Sequence, residues 1–246
     1  MTTERKIVQT ITQCSRLEPY KITHLVDTKS CKWTQSEWKG QGNQGTVYMA
    51  CCNEDCKFVV KSVNHSPSTT FDSVQKEVAM QQEFAAQGLA PRILEAFMCD
   101  DKSYIISEAK SRTLDSTCDR LAGDWTNDGW DFERDPNKKR WLVGLLQQAI
   151  FLLERAHDAG LMHDDAHLQN FMTDAKDVVD EKSYQQAIST LQFIDFGYSK
   201  RLSEDPEIRE QEKYDDTDRF YGAISDMPWG GKIQPLLKFK NYVPPY

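Results

Sequence analysis

The sequence has no long apolar run. Stretches such as 149–153 fall far short of the ~20 residues a membrane-spanning helix requires. No basic segment followed by an apolar one opens the chain, so a secretory signal is not expected. Basic clusters are equally scarce. The 30 Lys and Arg are outnumbered by 38 Asp and Glu, for a net charge of −8 over 246 residues. Phosphate backbones are bound by clustered cations, so nucleic acid is not expected as the main partner. The triplet Lys138-Lys139-Arg140 reads as a helix start. Cysteine is not used as a secreted disulfide framework would use it. The seven cysteines are an odd number, and Cys51, Cys52 and Cys56 lack the second Cys/His pair of a zinc site. Reduced thiols in a cytosol-like compartment are the expectation, and no membrane partner is expected. A hydrophobic fraction of 39% with 28% charged residues excludes wholesale disorder, and the length suffices for one large domain or two lobes.

The first 32 residues carry no firm pattern and read as a helix or arm before the domain. From Gly45 the alternation of Val47, Met49 and Cys51 reads as a strand, Asn53-Glu54-Asp55 as a turn, and 56–63 as the returning strand. That strand places Lys61 between Val59 and Val63 on one face, an unusual position for an amine. A helix is expected over 72–87, with Asp72 and Gln75 as a capping box and Gly88 as its stop. Two short strands follow, over 96–99 and 103–107. Residues 123–136 read as a loop insertion. Leu142, Leu145, Leu146, Ala149, Leu153 and Ala156 mark a helix over 138–159, ended by Gly160. A loop at 162–170, a charged stretch at 173–186 and a strand at 191–194 complete the pattern. Strands with one helix, followed by a mainly helical half, form an α+β pattern in two lobes, 1–109 and 110–246.

Gly40-Gln41-Gly42-Asn43-Gln44-Gly45-Thr46-Val47 allows a backbone to approach phosphate oxygens, although a plain hairpin turn would use the same glycines. No Gly-Lys-Ser/Thr follows, and a strand, not a helix, comes next, which argues against a Walker loop and a dinucleotide fingerprint. Lys61 suits phosphate charge, with Glu77 as its favoured partner and Glu83 as the competitor. The run from His163 to Asn170 sets Asp165 and Asn170 in a loop. A carboxylate there can accept a proton from a hydroxyl, and an amide oxygen can ligate magnesium. Asp195-Phe196-Gly197 supplies a second candidate ligand.

In this order the motifs resemble the protein-kinase superfamily, over roughly residues 38–222. The resemblance implies a two-lobe fold, with a small sheet-plus-helix lobe and a reduced helical lobe. It implies that Gly40, Gln41, Gly42, Asn43, Gly45 and Val47 cover the phosphates of ATP. Lys61, paired with Glu77, would hold those phosphates, and Asp165 would be the catalytic base. Asn170 and Asp195 would take Mg2+. Ser107 falls at the gatekeeper position, and Glu108 and Lys110 in the adenine-binding hinge. Asp216, with Asp218 as the alternative, resembles the buried aspartate that anchors a following helix.

The departures are informative. Residue 164 is Asp where the family carries Arg, and residue 167 is His where serine/threonine kinases carry Lys. No Ala-Pro-Glu follows, and the short stretch after Gly197 implies a cut-down helical lobe. The pattern is similar to compact atypical kinases of the RIO type, the tRNA-modification-complex type and large DNA viruses. The 163–170 loop also resembles aminoglycoside and choline phosphotransferases. The expectation is a serine/threonine protein kinase, cytoplasmic (in the host cell if the chain is viral), acting on a protein substrate. An accessory protein that completes the short lobe is a second expected partner. The alternatives are a small-molecule kinase and a pseudokinase binding module. With Asp164 in place of Arg, a phosphate on residues 198–214 would meet repulsion, so activity is expected without one.

Overall fold

The computed structural model describes residues 9–10, 15–16, 33–42, 45–53, 55–99, 101–126 and 129–239. It divides the chain into two compact units. One contains residues up to Ala86 with Pro91–Ala109, and the other contains Gln87–Ala90 with Lys110 onward. A lobe boundary at 109/110 places residues 87–90 in the first lobe. They go with the second because Leu89 O accepts the Phe193 N–H, and Gln192 Nε2 reaches the carbonyls of Gly88 and Ala90.

The first unit is an antiparallel sheet with one helix. Its elements are β1 (Gln9–Thr10), β2 (Ser15–Arg16), β3 (Trp33–Gly42), β4 (Gly45–Cys52), β5 (Asp55–Asn64), α1 (Phe71–Ala86), β6 (Ile93–Cys99) and β7 (Lys102–Glu108). The strand order is β1-β3-β4-β5-β7-β6-β2. Thus the leading segment, read from sequence as a helix or arm, contributes a two-residue strand to each edge of the sheet. The period of two in β5 splits its side chains between two cores. Phe58 and Val60 pack with Ala50, Leu94, Phe97 and Ile106 on one face. Val63 packs on the other with Val74 and Val78 of α1 and with Ile93, Ala96 and Ile105. Burying each such side chain contributes roughly 1.5–3 kcal/mol. Helix α1 begins one residue earlier than expected, because Thr70, not Asp72, caps it. The Thr70 hydroxyl accepts the Ser73 N–H at 3.3 Å. Gly88 ends the turn after the helix at φ +72°, a left-handed conformation that glycine adopts without strain.

The hairpin turn also corrects the cysteine reading. Cys51 and Cys56 form a disulfide, so these two are not reduced thiols. Cys52 is disulfide-bonded as well. The odd count could not show this, because the β4–β5 turn brings residues five apart in sequence into contact. Among the described residues the one free thiol is Cys118, whose pKa burial pushes well up, leaving it inert.

The second unit contains β8 (Arg112–Thr113), α2 (Leu114–Ala122), β9 (Trp125–Thr126), β10 (Gly129–Trp130), α3 (Asp131–Arg134) and α4 (Pro136–Asp158). Then come β11 (Leu161–Met162), β12 (Phe171–Thr173), α5 (Glu181–Thr190), β13 (Gln192–Phe193), β14 (Lys200–Arg201), α6 (Pro206–Ser225) and α7 (Gly230–Ile233). The supposed loop insertion holds the β9–β10 hairpin and α3. Two-residue strands leave no periodicity for a sequence reading to detect. Helix α4 starts at Pro136 because Asp135 caps it, accepting the Asn137 N–H at 2.9 Å. Its buried stripe, Leu142, Leu145, Leu146, Ala149, Leu153 and Ala156, packs against α2, α3 and α5. Helix α6 begins at Pro206, again under an aspartate cap, Asp205. Among the described residues no helix is long and apolar enough to cross a membrane. The chain therefore has an α+β, kinase-like two-lobe fold.

Candidate active site

In the first unit β3 and β4 form the glycine hairpin. Gly40 stands opposite Val47, Gln41 opposite Thr46, and Gly42 opposite Gly45. Asn43 lies outside the described residues. At Gly45 the requirement for glycine is steric, because a Cβ there would lie 2.6 Å from the backbone oxygen of Ser62. Strand β4 then pairs with β5 so that Val47 faces Lys61. Lys61 lies on the α1 side of the sheet, and its Nζ is 2.6 Å from Glu77 Oε1. The lysine side chain is 17% exposed and the glutamate 4%. A carboxylate this close fixes the direction of the ammonium. Of the two candidate glutamates, Glu77 is the one at Lys61. It sits among the buried residues of α1 with Val74 and Val78.

Ser107 lies near the end of β7, between Val59 and Ile93. The Glu108 carboxylate is held by the Arg92 guanidinium, and its N–H donates to Arg92 O. The Lys110 ammonium donates to Asp174 at 3.1 Å and to Thr190 O. Its backbone N–H makes no hydrogen bond within the described residues and is left for an incoming acceptor.

In the second unit β11 and β12 flank the loop that carries Asp165 and Asn170. Asn170 Nδ2 donates to both the backbone oxygen and Oδ2 of Asp165, each at 2.9 Å. His167 Nε2 lies 3.0 Å from the same amide nitrogen and 3.5 Å from Asp165 Oδ2. The Asn170 amide oxygen takes no part in these bonds. The Ile194 N–H donates to Asn170 O, which ties the strand before Asp195 to this loop. Asp195 itself has φ +60°, a turn that leads directly into the buried Phe196.

A buried scaffold holds the loop from below. Asp216 on α6 is 0% exposed and accepts from the N–H groups of His163 and Asp164 and from His157 Nε2, all within 3.0 Å. It, and not Asp218, makes these anchoring contacts. His163 stacks on Phe193, meets Phe196 edge-on, and donates Nε2–H to Ile194 O. Burial lowers its pKa and keeps the ring neutral. Asp164 has φ +59° and pairs with Arg219 and Lys200.

Sequence reasoning singled out neither Arg219 nor His157. The signal for Arg219 was its place three residues after Asp216 on one helix, which sets the two side chains on the same face. The Ser199 hydroxyl donates to His163 O at 3.0 Å, a tie between the segment after Gly197 and this loop.

No curated protein is matched by the chain. The family model for the protein kinase domain matches residues 33–222. That span begins at β3 and ends within α6, so it takes in the glycine hairpin, the Lys61–Glu77 pair, the Asp165–Asn170 loop and their Asp216 anchor. The chain is a phosphotransferase of the kinase kind and belongs to the protein kinase domain family.

Proposed function

We propose that this protein is an ATP- and Mg2+-dependent kinase that transfers the γ-phosphate to serine or threonine of a protein substrate. The observation that carries the reading is the geometry at Asn170: its nitrogen is tied to Asp165, so its amide oxygen is the atom that would meet a hard cation. The donor set fits the implied group. Asn170 and Asp195 offer oxygen ligands of the kind Mg2+ takes, and Lys61 offers a fixed cation to phosphate oxygens. Gly40, Gly42 and Gly45 let backbone amides approach those oxygens. The bound metal would neutralise charge on the transferring phosphoryl group. Asp165 accepts the proton of the attacking hydroxyl, and its orientation is set by the Asn170 amide. The Lys110 N–H and the backbone around Glu108 receive the adenine edge, beside Ser107.

The likeness to compact RIO-type, tRNA-modification-complex-type and viral kinases is part of this proposal, as is an accessory protein partner. The disulfide at Cys51 removes the thiol argument for a cytoplasmic compartment. A small-molecule acceptor is the second reading, favoured by His167 beside Asp165 in a loop similar to that of aminoglycoside and choline phosphotransferases. Against it stands the small size of the β9–β10 and α3 insertion, which offers little to build an acceptor pocket. The test is γ-phosphate transfer from labelled ATP to a panel of proteins and small alcohols, with Asp165→Asn as control. Protein labelling at Ser or Thr supports the first reading, and labelling of an alcohol supports the second. Mg-ATP binding without transfer would leave a pseudokinase.

A further inference from the structure

The residue before Asp165 sits at the centre of a chain of alternating charges. Arg219 of α6 holds Asp164 twice through Nη1, at the carboxylate and at the backbone oxygen. Lys200 of β14 approaches the other carboxylate oxygen at 3.8 Å and pairs with Glu212 of α6 at 3.0 Å. Glu212 in turn accepts the Ser203 N–H at 2.7 Å through its second oxygen. Arg219, Asp164, Lys200 and Glu212 thus run plus, minus, plus, minus from the loop that carries the base into the segment after Gly197.

That segment is tied down at nearly every residue. Ser199 donates its hydroxyl to His163 O. Lys200 and Arg201 pair with Met162 and Leu161. The Leu202 N–H donates to Gly160 O. Arg209 reaches back to the carbonyls of Ser203 and Glu204. Both cations of the chain are engaged, and the anions at its core are carboxylates. A phosphate added here would face Asp164 and Glu212, with both of these cations already paired. The left-handed φ of Asp164 is held from both sides, by Asp216 at its N–H and by Arg219 at its carbonyl.

We propose that Arg219 and Lys200 are positioning residues of the transfer reaction. Their pairing with Asp164 fixes the loop that presents Asp165, and with it residues 199–204, so that no phosphate on the segment is needed. Carboxylates built into the chain do what a regulatory modification would otherwise do. The inference rests on the reading of Asp165 as the base. Single exposed ion pairs contribute little, whereas a network that also engages the backbone acts on geometry.

The experiment uses the full chain with Arg219→Ala, Arg219→Lys, Asp164→Asn and the Asp164→Asn, Arg219→Ala double variant. Turnover, KM for Mg-ATP and hydrogen exchange of the 199–204 amides are measured on each, before and after phosphatase treatment. Arg219→Ala should lose tenfold or more in kcat with KM for ATP within twofold, and exchange over 199–204 should quicken. Arg219→Lys should recover part of the loss. The double variant should be no worse than the poorer single one, since both cut the same link. Phosphatase should leave the wild-type rate within twofold. Arg219→Ala turning over at the wild-type rate, or a tenfold loss on phosphatase treatment, overturns the proposal. If the wild type transfers no phosphate at all, the kinase reading fails. The exchange data then decide separately whether the charge chain locks the segment: unchanged exchange in Arg219→Ala overturns the lock.

Discussion

Lys61 Nζ stands 2.6 Å from Glu77 Oε1, and the two side chains are 17% and 4% exposed. A pair this deep has more value for direction than for stability, because desolvation offsets most of the Coulomb attraction. Glu77→Ala leaves a cation without its carboxylate and should destabilise the chain by about 3 kcal/mol. The double variant Lys61→Met, Glu77→Leu should recover most of that loss, measured by urea unfolding, yet transfer no phosphate. A double variant as active as wild type would show that Lys61 has no part in the chemistry.

Asp165→Asn keeps the shape of the loop and removes the proton acceptor. Turnover should fall by roughly 10²-fold or more, while Mg-ATP still raises the melting temperature. Asp195→Ala should instead lose the magnesium-dependent part of that rise. A rise that is identical with and without Mg2+ in the wild type would contradict the metal roles of Asn170 and Asp195.

The Cys51–Cys56 link closes a very short loop, with a sequence separation of 5. Loop-closure entropy for that length is about 2 kcal/mol, so a reducing agent, which also cuts the bond at Cys52, should lower stability by at least that order. The check is a pair of melts with and without reductant, alongside the mass of alkylated protein under non-reducing conditions. Alkylation of both thiols without reductant would show the link is not formed.

Burial lowers the pKa of His163 and keeps the folded-state ring neutral, while in the unfolded chain it titrates near the usual 6.5. Below that value the unfolded state takes up a proton the folded state refuses. This contribution is therefore complete above about pH 6.5 and is lost as pH falls, by up to about 1.4 kcal/mol per pH unit. His163→Phe should flatten the stability curve between pH 6.5 and 5.5. Equal slopes in the two proteins would count against a neutral, buried His163.

The Ser199 hydroxyl is committed to His163 O, and Ser203 Oγ only accepts the Asp205 N–H. Ser203→Ala should leave turnover within twofold. Ser199→Ala should lower it several-fold even in protein that carries no phosphate, as verified by mass spectrometry. The reverse pattern would point to phosphorylation of Ser203 as a switch.

Sequence alone determined the α+β succession, the glycine hairpin, the anomalous Lys61 between two valines, and the paired polar residues Asp165 and Asn170. Those signals are local: a period of two, a period of 3.6, or a motif within eight residues, each written in neighbouring side chains. Tertiary structure decided what depends on residues distant in the chain. It chose Glu77 over Glu83, because only one of them lies on the buried face of α1 toward Lys61. It put Asp216 and Arg219 under the loop that begins at His163, a contact across more than fifty residues that no spacing rule reaches. It joined Cys51 to Cys56, which counting cysteines could not foresee.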